Sequence, residues 1–143
     1  MESSIEEHVK RVKNRLEGGR SVLSHLENVT TFDIENVEPD VDQMAFPPPF
    51  PDDRFYVATD ERDPDALRVI GEAGGVFLTE LLTMEDRRAF GWPLMLTDVR
   101  ALVEQLVLVH SAYFYGHQLS SYAGRIANMR AARGADRRTT LLD

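Results

Sequence analysis

Apolar positions recur at helical spacing in four stretches of the chain and crowd together at strand length in three others. Ile5, Val9, Val12 and Leu16 fall four, three and four residues apart. Residues 4 to 17 therefore predict an amphipathic helix, opened by the capping box Ser4-Ile5-Glu6-Glu7 and stopped by Gly18-Gly19. Phe55-Tyr56-Val57-Ala58 has the aromatic and β-branched content of a strand. After it, Asp63 stands as a helix cap with Pro64 at the first helical position. Leu67, Ile70 and Ala73 give that helix an inner face, which ends at Gly74-Gly75. Val76-Phe77-Leu78 predicts a second strand. Thr83 to Phe90 is charged and suits one helical turn, and Gly91-Trp92-Pro93 suits a tight turn. Thr97 or Asp98 then caps a strongly periodic helix. Its inner side is read as Val99, Leu102, Val103, Leu106 and Val107, with Arg100, Glu104 and Gln105 opposite. A strand at Tyr113 to Tyr115 and a last helix complete the pattern. That helix has Tyr122, Ile126 and Met129 on one face and Gly134 at its end.

Strand and helix thus alternate three times, which predicts an α/β fold: a Rossmann-like parallel sheet with helices on both faces. Residues 1–143 are read as a single domain, with a first helix at 4–17, an irregular acidic and proline-rich insert at 20–53, and a core at 54–138. Within the insert, Ser21 to Val29 suits either a short helical turn or an edge strand. Phe46-Pro47-Pro48-Pro49-Phe50-Pro51 favours polyproline II and forbids a helix interior. Two uses fit that segment: a docking site for a proline-binding module, or a loop lying on the surface through its Phe residues. Asn28-Val29-Thr30 has the form of a glycosylation acceptor, relevant only in a secreted chain.

Composition narrows the function. A chain of 143 residues, 43% hydrophobic and 28% charged, is the size and character of one globular domain. No apolar run is long enough to span a bilayer, and the acidic start Met1-Glu2-Ser3-Ser4 is unlike a signal peptide. The absence of cysteine excludes disulfides, thiolate metal ligands and thiol catalysis. A net charge of −8 argues against nucleic acid as a partner, without excluding a local anion site. Arg125, Arg130, Arg133, Arg137 and Arg138 crowd the last helix and tail. Arg137 and Arg138 are read as solvated cations near a helix C-terminus, and His110 likewise closes the preceding helix.

Ligands of parallel sheets gather at the carboxyl ends of the strands. Two places in the sequence fall there, Thr59-Asp60 and the run from Gly116 to Ser121. Ser120 and Ser121 stand at the mouth of the last helix, where free N–H groups and the macrodipole favour an anion. The two hydroxyls suit a phosphate cradle, and equally a plain helix cap. Asp60 suits a ribose or base contact, or capping of nearby N–H groups. His117 suits a base or phosphate donor, or an incidental loop position. No His and carboxylate set has metal-ligand spacing, so no metal is expected. The serine doublet lacks the glycines of a nucleophile elbow, and no Walker lysine follows a glycine-rich loop.

Two motifs, Phe55 to Glu61 with its Ala58-Thr59-Asp60 triplet, and Val103 to Gly116 leading into Ser120-Ser121-Tyr122, together resemble the C-terminal part of GDP-fucose protein O-fucosyltransferases and their fucosyltransferase relatives. Arg130 matches an arginine that recurs after the serine triplet in that family. The resemblance covers about residues 54 to 138. It implies the donor-binding half of a GT-B enzyme, inverting transfer of fucose from GDP-fucose to a protein or glycan hydroxyl, and no required metal or other cofactor. It implies that Ser120, Ser121 and Tyr122 clamp the diphosphate and that Asp60 lies near the nucleotide, with Thr59, Gly116 and His117 as neighbours. The family works in the secretory lumen, whereas this sequence by itself leaves localisation open. The chain departs from the family in having Tyr122 for the usual Phe, in its enlarged insert, and in lacking the H-x-R-x-G-D segment whose arginine neutralises the leaving phosphate. The acceptor domain is likewise absent, so little turnover is expected from the chain alone. The alternative is a non-catalytic nucleotide-binding or protein-interaction domain that uses the proline-rich insert.

Overall fold

The computed structural model describes residues 2–26, 49–50 and 52–143. It is an α/β chain, mostly helical, that separates into two compact units. One comprises Met1–Lys10 and Asp52–Val107, the other Arg11–Pro51 and Leu108–Asp143. Among the described residues the strands form two two-stranded parallel sheets, one in each unit, in place of the single predicted sheet. Each pair closes one strand–helix–strand crossover. Strands of two or three residues complete such a unit locally but offer little edge for further strands to pair with.

In the first unit, β1 (Phe55–Tyr56) lies parallel to β2 (Gly75–Val76), with Phe55 opposite Gly75 and Tyr56 opposite Val76. The crossover is α2 (Pro64–Glu72), capped as predicted: the Asp63 side chain accepts from the Asp65 N–H, and Pro64 begins the helix. Ala66 and Ile70 are its buried face. The two glycines after it act differently. Gly74 makes the turn at φ +102°, a conformation that favours glycine. Gly75 belongs to the strand, where a Cβ would stand 2.6 Å from Ile70 Cγ2 and 2.9 Å from its carbonyl oxygen. The predicted strand at 76–78 is correspondingly shifted. It ends at Val76, and buried Leu78 already opens the short helix α3 (Leu78–Leu81).

The charged stretch after it is α4 (Met84–Phe90), opened by a reciprocal box. Thr83 Oγ1 accepts from the Asp86 N–H at 3.1 Å, and the Thr83 N–H donates to Asp86 Oδ2 at 2.9 Å. The Thr83 hydroxyl also donates to Asp86 Oδ2, at 2.6 Å, and this bond foremost, with the one from the Thr83 N–H, holds the Asp86 carboxyl below its ordinary range. Gly91, at φ +58°, leads into a 3₁₀ turn (Trp92–Met95). Helix α5 (Thr97–His110) already begins at Thr97, so Thr97 and Asp98 lie in its first turn instead of capping it, and its inner face is not the predicted one. Leu102 and Leu106 are exposed, whereas Gln105 and Val109 are buried and Glu104 accepts a hydrogen bond from the Tyr56 hydroxyl at 3.2 Å. The helix is apolar around much of its circumference, so periodicity alone does not choose which stripe the neighbours cover.

In the second unit, β3 (Phe114–Gly116) pairs in parallel with β4 (Thr140–Leu142), a strand outside the predicted core. Between them run α6 (Ser121–Ala132) and a second 3₁₀ turn (Arg137–Thr139), with Gly134 at φ +82° ending the helix as expected. Val109, Phe114, Ala123 and Ile126 form the core, and Leu108, Tyr122 and Met129 pack against it. The predicted face of the last helix is therefore the buried one.

Helix α1 (Glu2–Leu26) overruns both predicted boundaries. Ser4 lies inside it instead of capping it, and the helix passes straight through Gly18-Gly19 and takes in Ser21 to Leu26 of the stretch left between turn and edge strand. Gly19 is buried under the ring of Tyr113, where any Cβ would overlap the ring carbons. The glycine provides close approach, and the packing it allows outweighs its poor helix propensity. Most of the 20–53 insert, including the Asn28 acceptor and Phe46-Pro47-Pro48, lies outside the described residues. Phe50, at the described edge of that stretch, is largely exposed.

Candidate functional site

The corner between β3 and α6 is built from the residues the sequence singles out. Gly116 ends the strand. A Cβ there would stand 2.7 Å from the Ala123 Cβ and 2.8 Å from Phe114 Cζ, so only glycine lets the turn sit this close to the helix. The loop is pinned to the end of β4 by two bonds: the Gln118 N–H donates to the Asp143 carbonyl and the Asp143 N–H to the Gly116 carbonyl, each at 3.1 Å. Asp143 also forms an ion pair with Arg15 of α1. Inside the loop, the Ser120 N–H donates to the His117 carbonyl at 3.0 Å, and the Leu119 N–H donates to His117 Nδ1 at 3.2 Å. In that bond Nδ1 is the acceptor. His117 and the Leu119 side chain are exposed.

Ser120 is the N-cap of α6, its Oγ accepting from the Ala123 N–H at 3.2 Å. The capping reading of this serine therefore holds as geometry. Its hydroxyl proton is still available as a donor, since an accepting hydroxyl can also give. Ser121 is the first helical residue and is exposed. The helix is long enough, at 12 residues, to sum a useful dipole at this end. Tyr122 turns its ring onto the core cluster, so any ligand contact from this residue would come through its backbone or hydroxyl.

Thr59 and Asp60 belong to the other compact unit, after the carboxyl end of β1, and both are exposed. Thr59 Oγ1 accepts from the Glu61 N–H at 3.1 Å. The neighbouring Glu61 is the more engaged carboxylate: it accepts from the Asp63 N–H at 2.9 Å and the Arg62 N–H at 2.8 Å. These two bonds, the one from Asp63 foremost, hold its carboxyl below the ordinary range.

The largest feature unread in the residue pattern is Arg130. It is 0% exposed, and its guanidinium gathers the carbonyl oxygens at the end of α5. Nη1 donates to Leu108 O and Val109 O at 3.2 Å each and to Ser111 O at 2.5 Å. Nη2 donates to Thr139 O at 3.2 Å and Thr139 Oγ1 at 3.0 Å, and Nε to Thr140 Oγ1 at 2.8 Å. The charge thus sits at the negative end of one helix dipole and ties α5, α6 and β4 together. Nearby, Arg138 is exposed, as expected of it. It pairs through both Nε, at 2.9 Å, and Nη2, at 2.7 Å, with Asp136, whose carboxyl also caps the 3₁₀ turn and is held below its ordinary range, mainly by that side-chain pairing.

Among the described residues no helix is long and apolar enough to cross a membrane. Compared with known protein families, curated proteins and solved structures, the chain matches none of them.

Proposed function

We propose that this chain binds a nucleoside diphosphate sugar at the mouth of α6, as the GDP-fucose-binding half of an inverting fucosyltransferase. The observation that carries the reading is the β3–Gly116–Ser120-Ser121–α6 corner: a parallel strand turning directly into the N-terminus of a 12-residue helix, with paired hydroxyls at its mouth. A diphosphate there would meet first-turn N–H groups and the Ser121 hydroxyl, with a favourable dipole behind them. Arg130 supports the corner from below. By holding the body of α6 to α5 and β4 it keeps the helix mouth from shifting against the strand that leads into it. In this reading Arg130 is a positioning residue. The finer GT-B assignment and the choice of fucose rest on the two sequence motifs.

Calorimetric titration of GDP into the wild-type chain and into the Ser120→Ala/Ser121→Ala variant tests the proposal, with circular dichroism to check that the variant stays folded. The wild type should release binding heat and the folded variant should bind about ten- to a hundred-fold more weakly, the loss expected for hydrogen bonds to a charged group. Equal heats in both would remove the diphosphate from this corner.

A further inference from the structure

Helix α4 stands apart within its unit, because none of its seven residues is buried. Helices shorter than about 12 residues are marginal in water unless a face is packed. Its side chains are instead uncovered: Met84 is 66% exposed and Phe90 62%. The 3₁₀ turn packed against it adds Trp92 at 71% and Met95 at 83%, with Leu81 and Leu96 about half exposed. With a large aromatic side chain offering about 150–250 Å², these six leave on the order of 700 Å² of apolar surface in water. The largest patch of an ordinary monomer is about 300–600 Å². One side of a stable protein interface needs about 800 Å².

We infer that this patch is a homodimer interface in which α4 packs antiparallel on α4 of a second copy. The argument for self-association is the charge order. Residues 85–88 read Glu-Asp-Arg-Arg, a run in which reversing direction exchanges acids for bases. A two-fold axis passing between Asp86 and Arg87 sets Glu85 against Arg88 of the partner subunit, twice over, as an isologous contact requires. Asp86 and Arg87 are already engaged within the chain, by Thr83 and by the Thr79 carbonyl. Glu85 and Arg88 are the exposed pair that remains to match. An anionic lipid surface suits the patch less well. Glu85, Asp86 and Asp98 balance Arg87, Arg88 and Arg100 there, and the chain as a whole carries −8.

Sedimentation velocity over a wide concentration range tests the inference, because Trp92 is the only tryptophan and its emission reports on the same surface. The wild-type chain should pass from monomer to dimer, with Trp92 emission moving to shorter wavelength as it does. Glu85→Arg and Arg88→Glu, taken singly, oppose like charges twice and should each weaken the dimer at least about tenfold. The double exchange Glu85→Arg/Arg88→Glu should restore it. A monomer at every concentration would overturn the inference, as would failure of the double exchange to recover association in a variant with the wild-type circular dichroism spectrum. So would an emission shift seen only with vesicles containing phosphatidylserine.

Discussion

Gly19 of α1 lies directly beneath the ring of Tyr113, so close that no side chain fits between them. Gly18, its neighbour in the same helix, has nothing within 4 Å of where a Cβ would stand. The two glycines look alike in the sequence and have opposite roles. Gly18→Ala should stabilise the chain by about 0.5–1 kcal/mol, since it removes backbone freedom from the unfolded state and improves helix propensity. Gly19→Ala should destabilise it by about 1–3 kcal/mol, because the ring must move or the helix must lift. Urea unfolding of the two variants side by side would show the opposite signs.

Arg130 gives a second stability prediction. Arg130→Met keeps much of the stem's volume but leaves the carbonyls of Leu108, Val109, Ser111 and Thr139 without this donor in a buried place. The loss should be about 3–5 kcal/mol, in the range for removing one member of a buried charged network. Arg130→Lys should recover only part of it, because an ammonium cannot reproduce a planar fork that reaches three segments at once. Comparing the urea midpoints of both variants with the wild type checks the order.

Local grammar made much of this fold legible. Asp63-Pro64 and Ser120 mark helix starts because the signal lies within three or four residues, where a cap makes its own bond. The face of Tyr122, Ile126 and Met129 is legible because α6 has one dominant apolar stripe. What long-range packing decides was not legible. Gly18-Gly19 is a stop signal unless a distant ring needs the space, and nothing near residue 19 announces Tyr113. The three residues of β4 hold too little pattern to separate them from a tail. Leu102 and Leu106 resemble core positions because α5 has more apolar surface than its own unit covers. At the candidate site, the serines and Gly116 were legible as a corner. The burial of Arg130 was not, since a guanidinium is normally read as surface.

Two ionisable groups set opposite pH limits on the second unit. Burial is the main cause that raises the Tyr113 hydroxyl pKa, so the unfolded chain ionises there first. Its stabilising contribution is whole below about pH 10 and lost as pH climbs from the unfolded toward the folded value. Asp136 behaves the other way. Its pairing with Arg138 lowers the folded pKa, so its contribution is whole above about pH 4 and lost as pH falls through the folded value. Tyr113→Phe should flatten the alkaline limb of stability against pH, and Asp136→Asn should flatten part of the acid limb. Unfolding midpoints measured across both ranges check each sign.

The two serines of the α6 mouth should separate in a way that distinguishes a cap from a ligand contact. Ser120 Oγ bonds to the Ala123 N–H, so Ser120→Ala should cost about 1 kcal/mol of stability whether or not a ligand exists. Ser121 is exposed at the first helical position, and Ser121→Ala should leave stability within about 0.5 kcal/mol of wild type. If the corner binds a diphosphate, Ser121→Ala should nevertheless weaken GDP binding by about tenfold, a loss in affinity with no matching loss in the unfolding midpoint. A helix that is merely capped predicts the same stability pattern, falling only for Ser120→Ala, but no binding heat to lose in either variant. Thermal unfolding and calorimetry on the same two proteins decide between these patterns.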